Sequence, residues 1–306
     1  MSETKNVLIG GGSGLIGTRL TELLTQKGYG VRHLGRKGKD GPVQTFEWDI
    51  HRQTIDERAF EGVDVVINLA GANVNGRRWT KSYKDEILRS RTGSSKLLVD
   101  FLNEKKHQVT NFLSGSAIGF YGLENSPHVF SESDPPGSDF MAQVVLQWEK
   151  VSDQVTNPVV NVAHIRTGIV LSWRDGALKE MARPIKLYAG APLGSGKQYV
   201  SWIHLEDICG IFIHIIEHNL SGTFNGVAPS PVTNEEMTKA IAKDLRKPLL
   251  LPNIPAFALK IVIGEMAAAV VGGSKVSSKK IESTGFQFKY PNLEAALNAE
   301  AATLNP

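Results

Sequence analysis

The chain has 306 residues, 41% of them hydrophobic and 21% charged. That is enough apolar chain for a large core, and the charge content is that of a globular protein, not a disordered one. The net charge is +3, with Lys and Arg scattered among Asp and Glu and no long basic run, so no nucleic-acid partner is expected.

The single cysteine, Cys209, excludes an internal disulfide and a cysteine metal cluster. It points to a reducing, cytoplasmic setting and reads as a buried, inert thiol. The eight histidines include no His-Glu-x-x-His and no pair on one helical face with a carboxylate, so no metal is expected. Residues 1–14 lack the basic and apolar regions of a signal peptide. No apolar run reaches the about 20 residues of a membrane span, and no membrane partner is expected. The nearest, Ile254–Val271, is interrupted by Pro255, Lys260, Gly264 and Glu265 and reads as a packed helix.

In chain order, Asn6–Gly10 is predicted as a short buried strand. Thr18–Lys27 has a helical pattern through Leu20, Leu23 and Leu24. Gly30–Leu34, Val43–Trp48 and Val63–Leu69 read as strands, the last apolar at nearly every position, which suits a parallel strand covered on both faces. Ser90–Leu102 reads as a helix, and Val109–Ser114 and Val159–Arg166 as strands. This alternation predicts an α/β fold with a doubly wound parallel (Rossmann) sheet. From Gly168 the pattern loosens. Gly176–Tyr199 reads as a loop over the sheet, Leu205–Glu217 as a helix, and Thr223–Val227 as a strand. Thr233–Leu245 starts as a helix should, with an N-cap followed by Glu235 and Glu236. The expected division is a dinucleotide-binding domain over residues 1–170, with a strand returning at about 200–228. Residues 171–200 and 229–306 then form a smaller C-terminal domain.

The first strand runs straight into Gly-Gly-Gly-Ser-Gly-Leu-Ile-Gly, residues 10–17, and then a helix. Gly11 permits backbone angles closed to other residues. Gly14 lets the main chain approach a pyrophosphate, and Gly17 lets the helix pack close to the strand. The helix N-terminus then offers free N–H groups to phosphate. Gly11, Ser13, Gly14, Leu15, Ile16 and Gly17 are therefore candidate cofactor contacts. After the second strand an NAD protein places an acid for the ribose hydroxyls. Here stand Gly35, Arg36 and Lys37, with no carboxylate. A guanidinium and an ammonium can pair with a 2′-phosphate, so NADP(H) is favoured over NAD(H). Asp49, after the third strand, is placed to meet the adenine edge.

The glycine turn, Asn68-Leu69-Ala70-Gly71 and Ser114-Gly115-Ser116 together resemble an extended short-chain dehydrogenase/reductase. Trp202-Ile203-His204-Leu205-Glu206-Asp207 resembles the segment where that family's chain returns to the main domain. Arg77-Arg78-Trp79, Phe120-Tyr121-Gly122, Gln147-Trp148-Glu149, residues 166–171 (Arg-Thr-Gly-Ile-Val-Leu) and residues 224–229 are similar to its sugar-nucleotide epimerase-like branch. The stretch from Leu251 to Leu297 resembles that branch's own uncharacterised tail domain. The resemblance implies Leu69, Ala70, Gly71 and Val170 as further cofactor contacts. Glu86 and Arg91, on the helix after the fourth strand, are candidates for the same side.

The family's acid/base is Tyr-x-x-x-Lys. Four positions after the six tyrosines come His33, Ile87, Asn125, Pro192, Ile203 and Glu294, and none is Lys. Alignment on Trp148-Glu149 puts Met141 and Val145 at the family's Tyr and Lys positions. Ser116 falls at the catalytic Ser position, and Tyr121 is the best remaining titratable donor if a positive charge such as Arg166 lowers its pKa. Arg166, counted with the candidate cofactor-side residues, has two readings, ligand grip at the carboxyl end of its strand (substrate or cofactor) or buried ion pair. His204 and Asp207 read as structural. Three functions are weighed, and the intact glycine turn argues against one of them, a structural protein using the fold as scaffold. Of the remaining two, one is an NADP(H)-dependent epimerase/dehydratase-like or reductase-like enzyme with an altered acid/base, acting on an unknown small carbonyl or sugar-nucleotide substrate. The other is a non-enzymatic dinucleotide-binding sensor. The expected assembly is a monomer or homodimer.

Overall fold

The computed structural model describes residues 5–123 and 125–304; residues 1–4, on which part of the signal-peptide reading falls, lie outside the described residues. The strands are β1 (Asn6–Gly10), β2 (Gly30–Gly35), β3 (Gln44–Asp49), β4 (Thr54–Ile55), β5 (Val65–Asn68), β6 (Asn111–Ala117), β7 (Val129–Phe130), β8 (Asn161–Thr167), β9 (Ile169–Leu171), β10 (Tyr199–Val200), β11 (Trp202–His204), β12 (Gly222–Gly226), β13 (Val232–Thr233) and β14 (Lys275–Val276). The helices are α1 (Leu15–Gln26), α2 (Lys81–Glu104), α3 (Phe140–Ser152), α4 (Ala177–Lys186), α5 (Leu205–Glu217), α6 (Asn234–Asp244), α7 (Ala256–Ile263), α8 (Ala267–Val271), α9 (Lys279–Ser283) and α10 (Leu293–Leu304).

Eight strands form the main sheet in the order β12-β8-β6-β5-β1-β2-β3-β4. Every pairing is parallel except β3 with β4. The doubly wound sheet read from the sequence is therefore present. Alternation along β1 explains the two layers that cover it. Val7 and Ile9 face Leu20 and Leu24 of α1 and the apolar side of α5, while Leu8 faces Leu98 and Leu102 of α2. Burying each such side chain stabilises by about 1.5–3 kcal/mol, so neither face is stable open to water. Cys209 is fully buried on α5, and burial pushes its thiol pKa up, as expected of an inert side chain.

A separate core joins the smaller C-terminal unit to the sheet's return segment. Leu178, Ala182 and Ile185 of α4 pack with Met237 and Ile241 of α6, Leu297 of α10, and Trp202. His204 and Asp207 tie this segment down, as read. His204 caps α5 by accepting from Glu206 N–H, and Asp207 accepts from the backbone N–H groups of Lys289 and Tyr290.

The sequence reading needs correction in three places. The loop expected over 176–199 contains α4, which the flanking Gly176 and internal Pro184 concealed. Helix α2 begins at Lys81, nine residues before the predicted start; its first turns are polar, and the Thr80 hydroxyl caps them by accepting from Tyr83 N–H. The single packed helix expected over 254–271 is broken into α7, a 3₁₀ turn at Gly264–Met266, and α8. The break falls at Gly264, whose φ of +67° suits glycine, and α7 buries none of its residues. Among the described residues, no helix is long and apolar enough to cross a membrane.

Candidate active site

The sheet order reverses at β1, which has β2 on one side and β5 on the other. Ligands of doubly wound sheets bind outside the carboxyl ends of the strands at such a point. The glycine turn stands there. Gly11 has φ +80°, and an added Cβ would lie 2.7 Å from the Leu69 carbonyl carbon. Leu69 N–H donates to Gly10 O at 2.8 Å, which fixes the Leu69-Ala70-Gly71 loop beside the turn. A Cβ on Gly17 would lie 2.5 Å from Gly11 O, so α1 is packed directly on the turn.

Gly14 differs from both. A Cβ there would meet only Gly11 O, at 3.4 Å. Gly14 is also the N-cap of α1, with no side-chain cap and no acid in the first turn. The helix therefore presents uncapped N–H groups to an open space, which is what a pyrophosphate requires. Ser13 is exposed in the same turn, and Leu15 and Ile16 are half-buried in the first turn of α1. These residues fit a dinucleotide.

His33, on β2, supports the turn from below; the sequence reading missed it. A Cβ on Gly12 would fall 2.4 Å from the His33 ring, and His33 Nε2 lies 2.8 Å from Thr21 Oγ1. At the end of β2, Arg36 and Lys37 are exposed, and among the described residues neither forms an ion pair. Gly35 packs on Thr45, with room for no side chain. Asp49 ends β3, and its Oδ1 accepts from the His51 and Arg52 N–H groups, which hold its pKa down.

Arg91 reaches from α2 to the loop after β5, where glycine at 71 leaves room for it. Its Nη1 donates to Ala72 O and Ile87 O, and its guanidinium lies over the Trp148 ring at 5.3 Å. No carboxylate faces it among the described residues, and burial lowers its pKa to about 10. Glu86 is half-buried and makes no hydrogen bond or ion pair among the described residues, so it does not join Arg91.

Strand register builds the second half of the site. Ser116 of β6 is opposite Arg166 of β8, which is opposite Asn225 of β12. Glu149 of α3 lies over them. Ser116 Oγ donates to Glu149 Oε1 at 2.5 Å, and Arg166 grips both carboxylate oxygens, at 2.9 and 2.8 Å. Arg166 Nη1 donates to the Tyr121 hydroxyl at 3.0 Å, and that hydroxyl donates to Asn225 Oδ1 at 2.7 Å. Asn225 Nδ2 donates in turn to Ser277 O, which fixes the orientation of its amide. The Arg166 guanidinium also stacks 3.4 Å from the Phe120 ring centroid. All five polar residues are buried or nearly so.

Of the two readings of Arg166, the structure gives the ion pair, with its Nε, Nη1 and Nη2 all engaged by protein groups. Burial opposes its charge, but the Glu149 hydrogen bonds and charge prevail and raise its pKa. The expected lowering of the Tyr121 pKa is also corrected. Arg166 does stand beside the hydroxyl, yet burial outweighs it and pushes the pKa up to about 12. Met141 and Val145 are buried on α3, and an added Cβ on Gly119 would touch both. Val170 lies on β9, half-buried against the α1–α5 layer. Among the described residues, no cluster of three metal-ligating side chains occurs.

The comparisons with known proteins agree with this geometry. The NAD dependent epimerase/dehydratase family profile matches residues 7–226, and that of a domain of unknown function, DUF1731, matches residues 254–300. The mouse epimerase family protein SDR39U1 is 34% identical over 95% of this chain and 98% of its own. The chloroplastic homologue from Arabidopsis thaliana is 35% identical over 96% of this chain and 86% of its own. The crystal structure of human epimerase family protein SDR39U1 with NADPH superposes with a TM-score of 0.88 at 31% identity, over 97% of this chain and 99% of that one. The chain belongs to the NAD dependent epimerase/dehydratase family.

Proposed function

We propose that the protein binds NADP(H) in the crevice above β1 and β5. The observation that carries this reading is the pair Arg36–Lys37, exposed and in no ion pair among the described residues at the end of β2, together with the open helix terminus at Gly14 after the adjacent β1. The human relative crystallised with NADPH supports it. When bound, the nicotinamide would supply hydride chemistry. The protein's part would be to hold phosphate with the α1 N–H groups, the 2′-phosphate with Arg36 and Lys37, and a further anionic group with Arg91. Calorimetry with NADPH and NADH tests this. A preference for NADPH of tenfold or more is expected, and equal affinities would defeat it.

The reaction class we favour is reductase- or epimerase-like chemistry on a small carbonyl compound, in the cytoplasm, without the family's Tyr-x-x-x-Lys proton transfer. Met141 and Val145 are apolar, and the Tyr121 hydroxyl proton is already donated to Asn225. A proton would then come from solvent or substrate. The same spent hydroxyl favours a second reading, a dinucleotide binder without turnover. NADPH oxidation across a panel of carbonyl compounds separates the two.

A further inference from the structure

Beyond the cofactor crevice, a second cleft of about 470 Å³ lies where α7 and α8 face the starts of α2 and α3. Its size is within the roughly 300–1,000 Å³ of small-molecule sites. Trp79 and Phe140 form one wall, and Phe257, Ala268 and Val271 the other. Trp79 and Phe140 share a cluster with Met141, the residue aligned with the family's catalytic tyrosine. The cleft thus adjoins the place where chemistry on a bound nicotinamide would occur.

Its chemistry does not suit a nucleoside diphosphate. The walls are apolar, and the polar groups in them are mostly committed. Asp139 caps α3 and accepts from Leu123 N–H, and Glu265 pairs with Lys84. Lys260 alone remains. It lines the cleft, is exposed, and has no carboxylate partner among the described residues. Arg78, close by, is engaged with Ile261 O. One free cation beside an apolar chamber matches a ligand with an apolar body and one anionic end.

We propose that this cleft binds an amphipathic carboxylate, the substrate class of the site. The substrate part of this statement rests on the cofactor reading above, but binding to the cleft does not. Phe257 is 70% exposed, so a bound apolar body would cover a ring that water now surrounds.

Calorimetry on the full chain with decanoate, decanol and UDP-glucose tests the proposal, with NADPH titrated separately. Decanoate should bind at one site, decanol about two- to fivefold more weakly, as for an exposed ion pair, and UDP-glucose not at all. Ala268→Trp, at an exposed position in the wall, should abolish decanoate binding. Lys260→Gln should bring decanoate down to the level of decanol and leave decanol unchanged. Both variants should keep the NADPH affinity of the parent, which also shows that they fold. Equal binding of decanoate and decanol, decanoate binding that survives Ala268→Trp, or binding of UDP-glucose that Ala268→Trp removes would each overturn the proposal. Absent NADPH binding with decanoate bound would overturn the cofactor reading alone.

Discussion

Glu149 and Arg166 meet at two points, Oε1 with Nε at 2.9 Å and Oε2 with Nη2 at 2.8 Å, with side chains only 9% and 5% exposed. Removing one member leaves the other charged and enclosed, which costs about 3–5 kcal/mol. Glu149→Ala should therefore lower the unfolding free energy of the ligand-free protein, measured by urea titration, by an amount in that range. If Arg166 served only as a ligand contact, ligand-free stability would not move, and that result would contradict the structural role.

Tyr121→Phe removes a hydroxyl that both accepts from Arg166 and donates to Asn225. The partners left unsatisfied should make the variant less stable by about 1–3 kcal/mol. NADPH affinity should stay within about twofold, because the hydroxyl faces the protein interior. Should a substrate be found, retained turnover in this variant would agree with the geometry. A fall of about 10²–10⁴-fold would restore Tyr121 as an acid/base.

The residues of this network were visible in the sequence as motifs, but their meeting was not. Ser116, Arg166 and Asn225 are 50 and 59 positions apart in turn, and only the register of β6, β8 and β12 aligns them. The glycine turn was legible because each glycine answers a backbone requirement, and β1 and β5 because burial on both faces demands apolar residues throughout. Helix α4 was hidden by Gly176 and Pro184, which usually punctuate loops. The exposure of α7 was unreadable because an apolar run looks the same whether or not something covers it.

Gly14→Val and Gly17→Val should fail in different ways. At Gly14 a side chain points into the open space before α1, so the variant should fold normally and lose dinucleotide binding. At Gly17 it collides with Gly11 O and with Gly12, so the fold itself should be destabilised. Thermal melts and NADPH titrations of the two variants distinguish these outcomes. Unchanged NADPH affinity in Gly14→Val would place the cofactor elsewhere.

Arg91 has carbonyl oxygens and a ring for company, but no carboxylate. An enclosed charge without a counter-charge is held at a cost, which a bound anion would offset. Arg91→Met keeps the length of the stem and removes the charge. It should weaken NADPH binding by about tenfold or more while leaving the ligand-free protein as stable as before. A variant that is less stable yet binds normally would make Arg91 a structural strut.

His33 gives a pH dependence of definite sign. The Thr21 hydroxyl donates its one proton to Gly17 O, so the bond to His33 requires the proton on Nε2. Protonation at low pH must then occur at Nδ1, and burial opposes it, lowering the pKa from the ordinary value of about 6.5. The unfolded chain, whose histidine keeps that ordinary value, takes up the proton first as the pH falls. The stabilisation is therefore complete above about 6.5 and declines as the pH drops through the folded-state pKa. His214 is lowered by burial in the same way, so replacing His33 alone should reduce the slope without abolishing it. Glu22 and Glu206, whose pKa values Arg19 holds down, act only below the ordinary carboxylate range and lie outside this window. Urea midpoints at pH 7.5 and 5.5 should fall further in the parent than in His33→Gln. Equal falls would mean that the imidazole beneath the glycine turn titrates as it does in water.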